Sequence, residues 1–175
     1  MQPYDHPACL EIEKLAEHCD FKRTRSGGPG GQHRNKVETA VVVKHKQSGV
    51  IGQAGERRSQ RDNRAVALDR LRVNLAVEVR SQQTDFRDSP ATPTSELWQS
   101  RCRGGKINIS RQHFDFACLL AEALDRIEST DFQLAAAAKQ LGCSTTQLIN
   151  LVKMEDKALM LVNRMRQQAG HGRLK

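Results

Sequence analysis

The feature that most constrains the fold is a change of hydrophobic period part-way along the chain. Over residues 37–45 the side chains alternate, with Thr39, Val41 and Val43 on one face and Ala40 and Val42 on the other. A period of two marks a strand. Gln47-Ser48-Gly49 reads as a turn, residues 50–53 as the returning strand, and residues 21–25 as a weaker first strand. Beyond Ser59 the period becomes helical. Ser59 or Asp62 can cap a helix that runs to about Arg80, with Leu68, Leu71, Leu75 and Val79 as its apolar stripe. A second, shorter helix is expected over residues 8–18, from the spacing of Cys9, Ile12, Leu15 and Ala16. A long helix laid on a small sheet is an α+β arrangement.

Residues 81–111 break the pattern. They hold Pro90 and Pro93, no sustained period, and only Leu97 and Trp98 as apolar anchors, so a linker is expected, with a short strand over residues 106–110. From Phe114 the period is helical throughout. Phe114, Ala117, Cys118, Ala121 and Leu124 line a first helix, and three more follow over residues 132–141, 144–153 and 156–168. The expected organisation is therefore an α+β unit over residues 1–80, a linker over 81–111 and an all-α bundle over 112–175. Ala138, Gly142 and Leu148 have the spacing of a helix-turn-helix. Ser144, Thr145, Thr146, Gln147 and Asn150 would face a duplex, but Lys153 is the only basic residue on that helix. A DNA reader usually carries more charge there, so a packing or protein-contact role suits this bundle better.

Charge narrows the function classes. Of the net +8, residues 22–72 contribute +9, residues 1–21 contribute −4 and residues 73–175 contribute +3. A basic excess confined to one segment is the footprint of a polyanion-binding surface, nucleic acid before acidic membrane. No apolar run approaches the roughly 18 residues of a membrane span. The five cysteines, Cys9, Cys19, Cys102, Cys118 and Cys143, are scattered and odd in number, which speaks against a zinc site or a disulfide framework. Reduced thiols in a cytoplasmic protein are expected, with no metal and no cofactor. There is no nucleophile elbow of the Gly-x-Ser-x-Gly kind.

Within the basic segment lies Gly27-Gly28-Pro29-Gly30-Gly31-Gln32, flanked by Arg23, Arg25, Arg34 and Lys36. Glycines without Cβ atoms let bare backbone approach a crowded polyanion closely. A Gly-Gly-Gln loop has no base. It can offer a backbone N–H to an oxyanion and an amide side chain to position water and exclude larger nucleophiles. A base would have to come from elsewhere, such as a hydroxyl of the substrate. His33 is better suited to a phosphate or stacking contact than to catalysis.

The run Arg25-Ser26-Gly27-Gly28-Pro29-Gly30-Gly31-Gln32-His33-Arg34-Asn35-Lys36-Val37-Glu38-Thr39-Ala40-Val41 resembles the signature of class I peptide chain release factors and their ribosome-rescue relatives. Arg57-Arg58-Ser59-Gln60-Arg61-Asp62-Asn63-Arg64 is similar to that family's Arg-Ser-Gln-x-x-Asn segment. Arg34 stands where the family usually has an aliphatic β-branched residue. The resemblance implies that Gly30, Gly31 and Gln32 enter the peptidyl transferase centre of the large ribosomal subunit and promote hydrolysis of the peptidyl-tRNA ester. It implies that Gln32 is a candidate for methylation. Arg23, Arg25, His33, Arg34, Lys36, Arg57, Arg58 and Arg61 are then expected to contact rRNA and tRNA. A stop-codon domain like that of the decoding factors is not recognisable, so codon-independent rescue by a monomer is expected, targeted by the bundle or by a recruiting protein. The alternative is a ribosome- or tRNA-binding protein without catalysis.

Overall fold

The structure, a computed structural model, describes residues 4–24, 39–81 and 94–174. Strands β1 (Cys19–Thr24), β2 (Ala40–His45) and β3 (Ile51–Ala54) form an antiparallel sheet in that spatial order. The β2–β3 turn is held by His45, whose Nδ1 lies 2.8 Å from Ser48 Oγ, and Gly49 takes a φ of 74° there. Helix α2 (Gln60–Glu78) crosses one face of the sheet. Of the two expected caps, Ser59 is the one used: its Oγ accepts from Asp62 N. Asp62 occupies the first turn, where the helix N-terminus favours negative charge.

Gly52 sets how closely α2 approaches. It pairs with Val43, and a Cβ on it would lie 2.2 Å from Ala67 O and 2.6 Å from Leu71 N. The expected stripe of Leu68, Leu71 and Leu75 is buried, with Val79 half-buried at the C-cap. Arg72, Val73, Ala76 and Val77 are buried as well. Helix α2 therefore has two covered sides, one against the sheet and one against the bundle.

At the N-terminal end, the expected single helix is a 3-10 turn (Pro7–Cys9) followed by α1 (Ile12–Glu17). Pro7 opens the turn and His6 caps it, its Nδ1 accepting from Ala8 N at 3.0 Å. Residues 94–111 also differ from the expected linker. They hold helix α3 (Glu96–Arg101) and a hairpin of β4 (Cys102–Arg103) and β5 (Lys106–Ile107). Ser95 caps α3, and Trp98 is fully buried with its indole N–H donating to Leu141 O at 2.8 Å. One large aromatic in a pocket organises a segment in which apolar periodicity is absent. Gly104 and Gly105, both at positive φ, make the two-residue hairpin turn. The expected strand over residues 106–110 is thus only two residues long.

The bundle contains the four expected helices, α4 (Phe116–Ser129), α5 (Leu134–Gln140), α6 (Thr145–Lys153) and α7 (Asp156–Gln168). Phe114 lies outside α4, with its ring 3.7 Å from the Arg72 guanidinium. That guanidinium also donates to Ala8 O and Phe114 O. Buried charge is tolerable here because Nε, Nη1 and Nη2 each donate to a backbone carbonyl and the Phe114 ring covers the group. A single cluster of buried apolar residues runs from Val41 and Val43 through α2 into α4, α5 and α6.

The cysteine reading needs correction. Cys9 and Cys118 form a disulfide, joining the N-terminal 3-10 turn to α4 across 109 positions of sequence. Their spacing carries no signal because it is tertiary packing that brings the two elements together. Cys19, Cys102 and Cys143 are free thiols.

Candidate nucleic-acid interface

Three strands end together at one edge of the sheet. Arg23, Val41 and Ala54 stand in one row across β1, β2 and β3, and Thr24 pairs with Ala40 beyond them. The chain leaves β1 at Thr24 and re-enters β2 beside it. Arg25, Gly30, Gly31, Gln32, His33, Arg34 and Lys36 belong to the intervening segment, which lies outside the described residues. What the structure defines is the base from which that segment departs.

Asn63 builds this base. Its side chain is completely buried in the first turns of α2. Nδ2 donates to Thr39 O at 2.7 Å and to Arg57 O at 2.9 Å, and Oδ1 accepts from Arg57 N at 2.9 Å. Both donors and the acceptor of one amide are thus spent on backbone. The residue where the glycine segment ends is thereby tied to the turn preceding α2. Sequence reading quoted Asn63 within a motif but gave it no role. The signal was available: Asn63, Ala67 and Leu71 follow at intervals of four, so an amide sits on the buried stripe.

Around this base the surface is basic. Arg23, Arg57, Arg58 and Arg61 are exposed, and among the described residues their side chains have no acidic partner. Arg64 lies over the Phe21 ring at 4.4 Å, linking α2 to β1. Neither of that pair was singled out from the sequence as a site residue. The nearby Glu56 does not offset the charge. Its carboxylate accepts from Gly55 N at 3.0 Å and pairs with Arg70 at 2.7 Å. These contacts, the backbone hydrogen bond first, hold its pKa below the usual carboxylate range. Exposed arginines with no acidic partner among the described residues make a surface for a phosphate chain.

Among the described residues other chemistry is not assembled. Burial pushes the Cys19 and Cys102 thiols up and the Cys143 thiol up to about 12, so these three are protonated and poor nucleophiles. Among the described residues no group of His, Cys, Asp and Glu could hold a metal, and no helix is long and apolar enough to cross a membrane. The helix-turn-helix spacing is realised, with Ala138 and Leu148 buried and Gly142 at φ 65° between the helices. The entrance to α6 is nevertheless occupied by the β4–β5 hairpin: Ser144 N donates to Gly105 O and Ile107 N donates to Gln147 Oε1, each at 3.1 Å.

A comparison with protein families matches the RF-1 domain over residues 10–111. Curated relatives include the chloroplastic peptide chain release factor PrfB1 of Arabidopsis thaliana, 39% identical over 93 residues. Peptide chain release factor 2 of Bordetella pertussis is 35% identical over 103 residues, and peptide chain release factor 1 of Chlorobaculum tepidum 44% over 87. These alignments cover 53%, 58% and 47% of this chain but only 20%, 28% and 24% of the relatives. The chain thus spans between a fifth and a third of the length of these relatives. No solved structure matches significantly.

Proposed function

This chain belongs to the RF-1 domain family, and on that premise we propose that it promotes hydrolysis of the peptidyl-tRNA ester on the ribosome. The observation that carries the reading is the base at Thr24, Thr39 and Asn63, from which the Gly30-Gly31-Gln32 segment departs, together with exposed arginines that have no acidic partner among the described residues. On this reading the Gln32 N–H stabilises the developing oxyanion, its side chain orders water, and the glycines allow entry into an RNA-walled site. Arg23, Arg25, His33, Arg34, Lys36, Arg57, Arg58 and Arg61 hold rRNA and tRNA phosphates. The reaction is codon-independent and cytoplasmic, acting on stalled ribosomes, with Gln32 a candidate for methylation.

Single-turnover peptide release on saturated ribosomes with an empty decoding site tests this. Gln32→Ala should slow release while leaving ribosome binding in place. Gly31→Val should slow it more, by roughly a hundredfold or greater, the scale of one oxyanion donor at about 3 kcal/mol. Equal rates for all three proteins would sink the hydrolase reading. Retained, salt-sensitive ribosome binding would then identify a binding protein, because the arginines serve either function but only catalysis needs Gln32.

A further inference from the structure

At the far end of α2 from the glycine segment, a cleft of about 720 Å³ opens between α2, α4 and α7. Its floor is apolar, formed by Leu124, Phe132, Leu161 and Met165, and Met160 stands beside it 71% exposed. Its rim carries Lys157, Arg164 and Arg173, all exposed. Among the described residues the lining holds two acids; Glu128 is engaged by Arg80 Nε at 3.0 Å, which leaves Glu78 beside Lys157, Arg164 and Arg173. We infer that this cleft docks an amphipathic helix of a partner protein, its apolar side on the apolar floor and Met160 and its acidic flank on Lys157, Arg164 and Arg173.

Several observations select that occupant. Leu161 and Met165 are one turn apart on α7, as are Met160 and Arg164, so the helix presents an apolar row beside a row that joins a methionine to an arginine. Methionine floors adapt to helical ligands, and helix-in-groove docking uses this spacing. Single-stranded RNA would call for aromatic stacking platforms, and among the described residues Phe132 is the only aromatic in the lining. The turn that presents Phe132 is itself unusual. Asp131 and Phe132 both sit in the left-handed region, at φ 50° and 61°, although neither is glycine. Their carbonyls are held by His171 and Arg166, and Leu174 N donates to Asn163 Oδ1, so residues 171–174 fold back along α7 and place Arg173 at the rim. From Asn63 to Val77 the rise of α2 is about 21 Å, so a partner here would sit about that far from the Asn63 base. The inference stands independently of the hydrolysis reading.

The test uses the full chain and a fluorescein-labelled 20-residue peptide of leucine and glutamate in amphipathic helical order, with a leucine–lysine peptide of the same pattern as control. Fluorescence anisotropy should show the glutamate peptide binding at least tenfold more tightly than the lysine peptide. Met160→Glu and Arg164→Glu should each weaken that binding tenfold, with unchanged circular dichroism and melting temperature. Equal binding of the two peptides, or no effect of either substitution, overturns the proposal. So does a dimer in sedimentation that Met160→Glu dissociates, which would make a second copy the occupant. Loss of affinity for a single-stranded RNA oligonucleotide in Met160→Glu would assign the cleft to RNA instead.

Discussion

Two residues decide how the candidate interface is held, and neither carries charge. Asn63 satisfies three backbone groups at the point where the glycine segment rejoins the sheet. Asn63→Asp keeps the acceptor for Arg57 N but turns carboxylate oxygen toward the carbonyls of Thr39 and Arg57. A buried charge facing two acceptors should cost about 3 kcal/mol or more. Urea unfolding should show this, and peptide release should fall beyond what the unfolded fraction explains. Gly52 is required for a different reason. The Cβ in Gly52→Ala would meet backbone of α2 rather than a movable side chain. The helix must therefore lift from β3, at a cost of about 3 kcal/mol, the upper end of ordinary overpacking. A melting temperature within a degree of wild type would contradict that close contact.

At the level of elements, the N-terminal 3-10 turn depends on a neutral histidine. His6 is buried and uses both ring nitrogens: Nδ1 accepts from Ala8 N, while Nε2 lies 3.2 Å from Val79 O and donates to it. Burial, more than any other influence, lowers its pKa to about 4, with Arg80 acting in the same direction and Asp5 and the Val79 carbonyl opposing. The unfolded chain takes up the proton near pH 6.5, and the native turn refuses it until about pH 4. The stabilisation present at pH 7 is therefore lost as the pH falls through that window, by about 3 kcal/mol. Glu122 and Asp125 act in the opposite sense, because burial raises both and the native state gains as they protonate. The clean measurement is the difference in urea stability between wild type and His6→Gln at pH 7 and at pH 4.5. Wild type should lose more than the variant on acidification, and parallel curves would rule out this origin.

For the whole molecule, the Cys9–Cys118 bridge and the Arg72 contacts lie at one junction, between the N-terminal turn, α2 and the start of α4. A cross-link closing a loop of 109 residues restricts the unfolded chain strongly. The chain-entropy model puts its contribution at about 5 kcal/mol. Dithiothreitol should lower the urea midpoint of the wild type accordingly, and Cys118→Ser should already show the lower midpoint and ignore the reductant. A wild-type midpoint that does not respond to reduction would show that the bridge is not formed in solution.

Whatever depends on local chain chemistry was legible without coordinates. The alternation at Val41 and Val43, a cap at Ser59 or Asp62, the stripe through Leu68, Leu71 and Leu75, and the helical period beyond Phe114 all act between near neighbours. The arginine excess and the Gly30-Gly31-Gln32 run likewise need no tertiary partner to be recognised. Tertiary structure decided what depends on distant residues meeting. Cys9 finds Cys118 only once the turn packs on α4. Trp98 orders residues 94–103 only because Leu141 supplies a carbonyl and the bundle a pocket. Asn63 becomes a pin only when Thr39 and Arg57 arrive together. Periodicity reports which face of an element avoids water, and it is silent on which element covers that face.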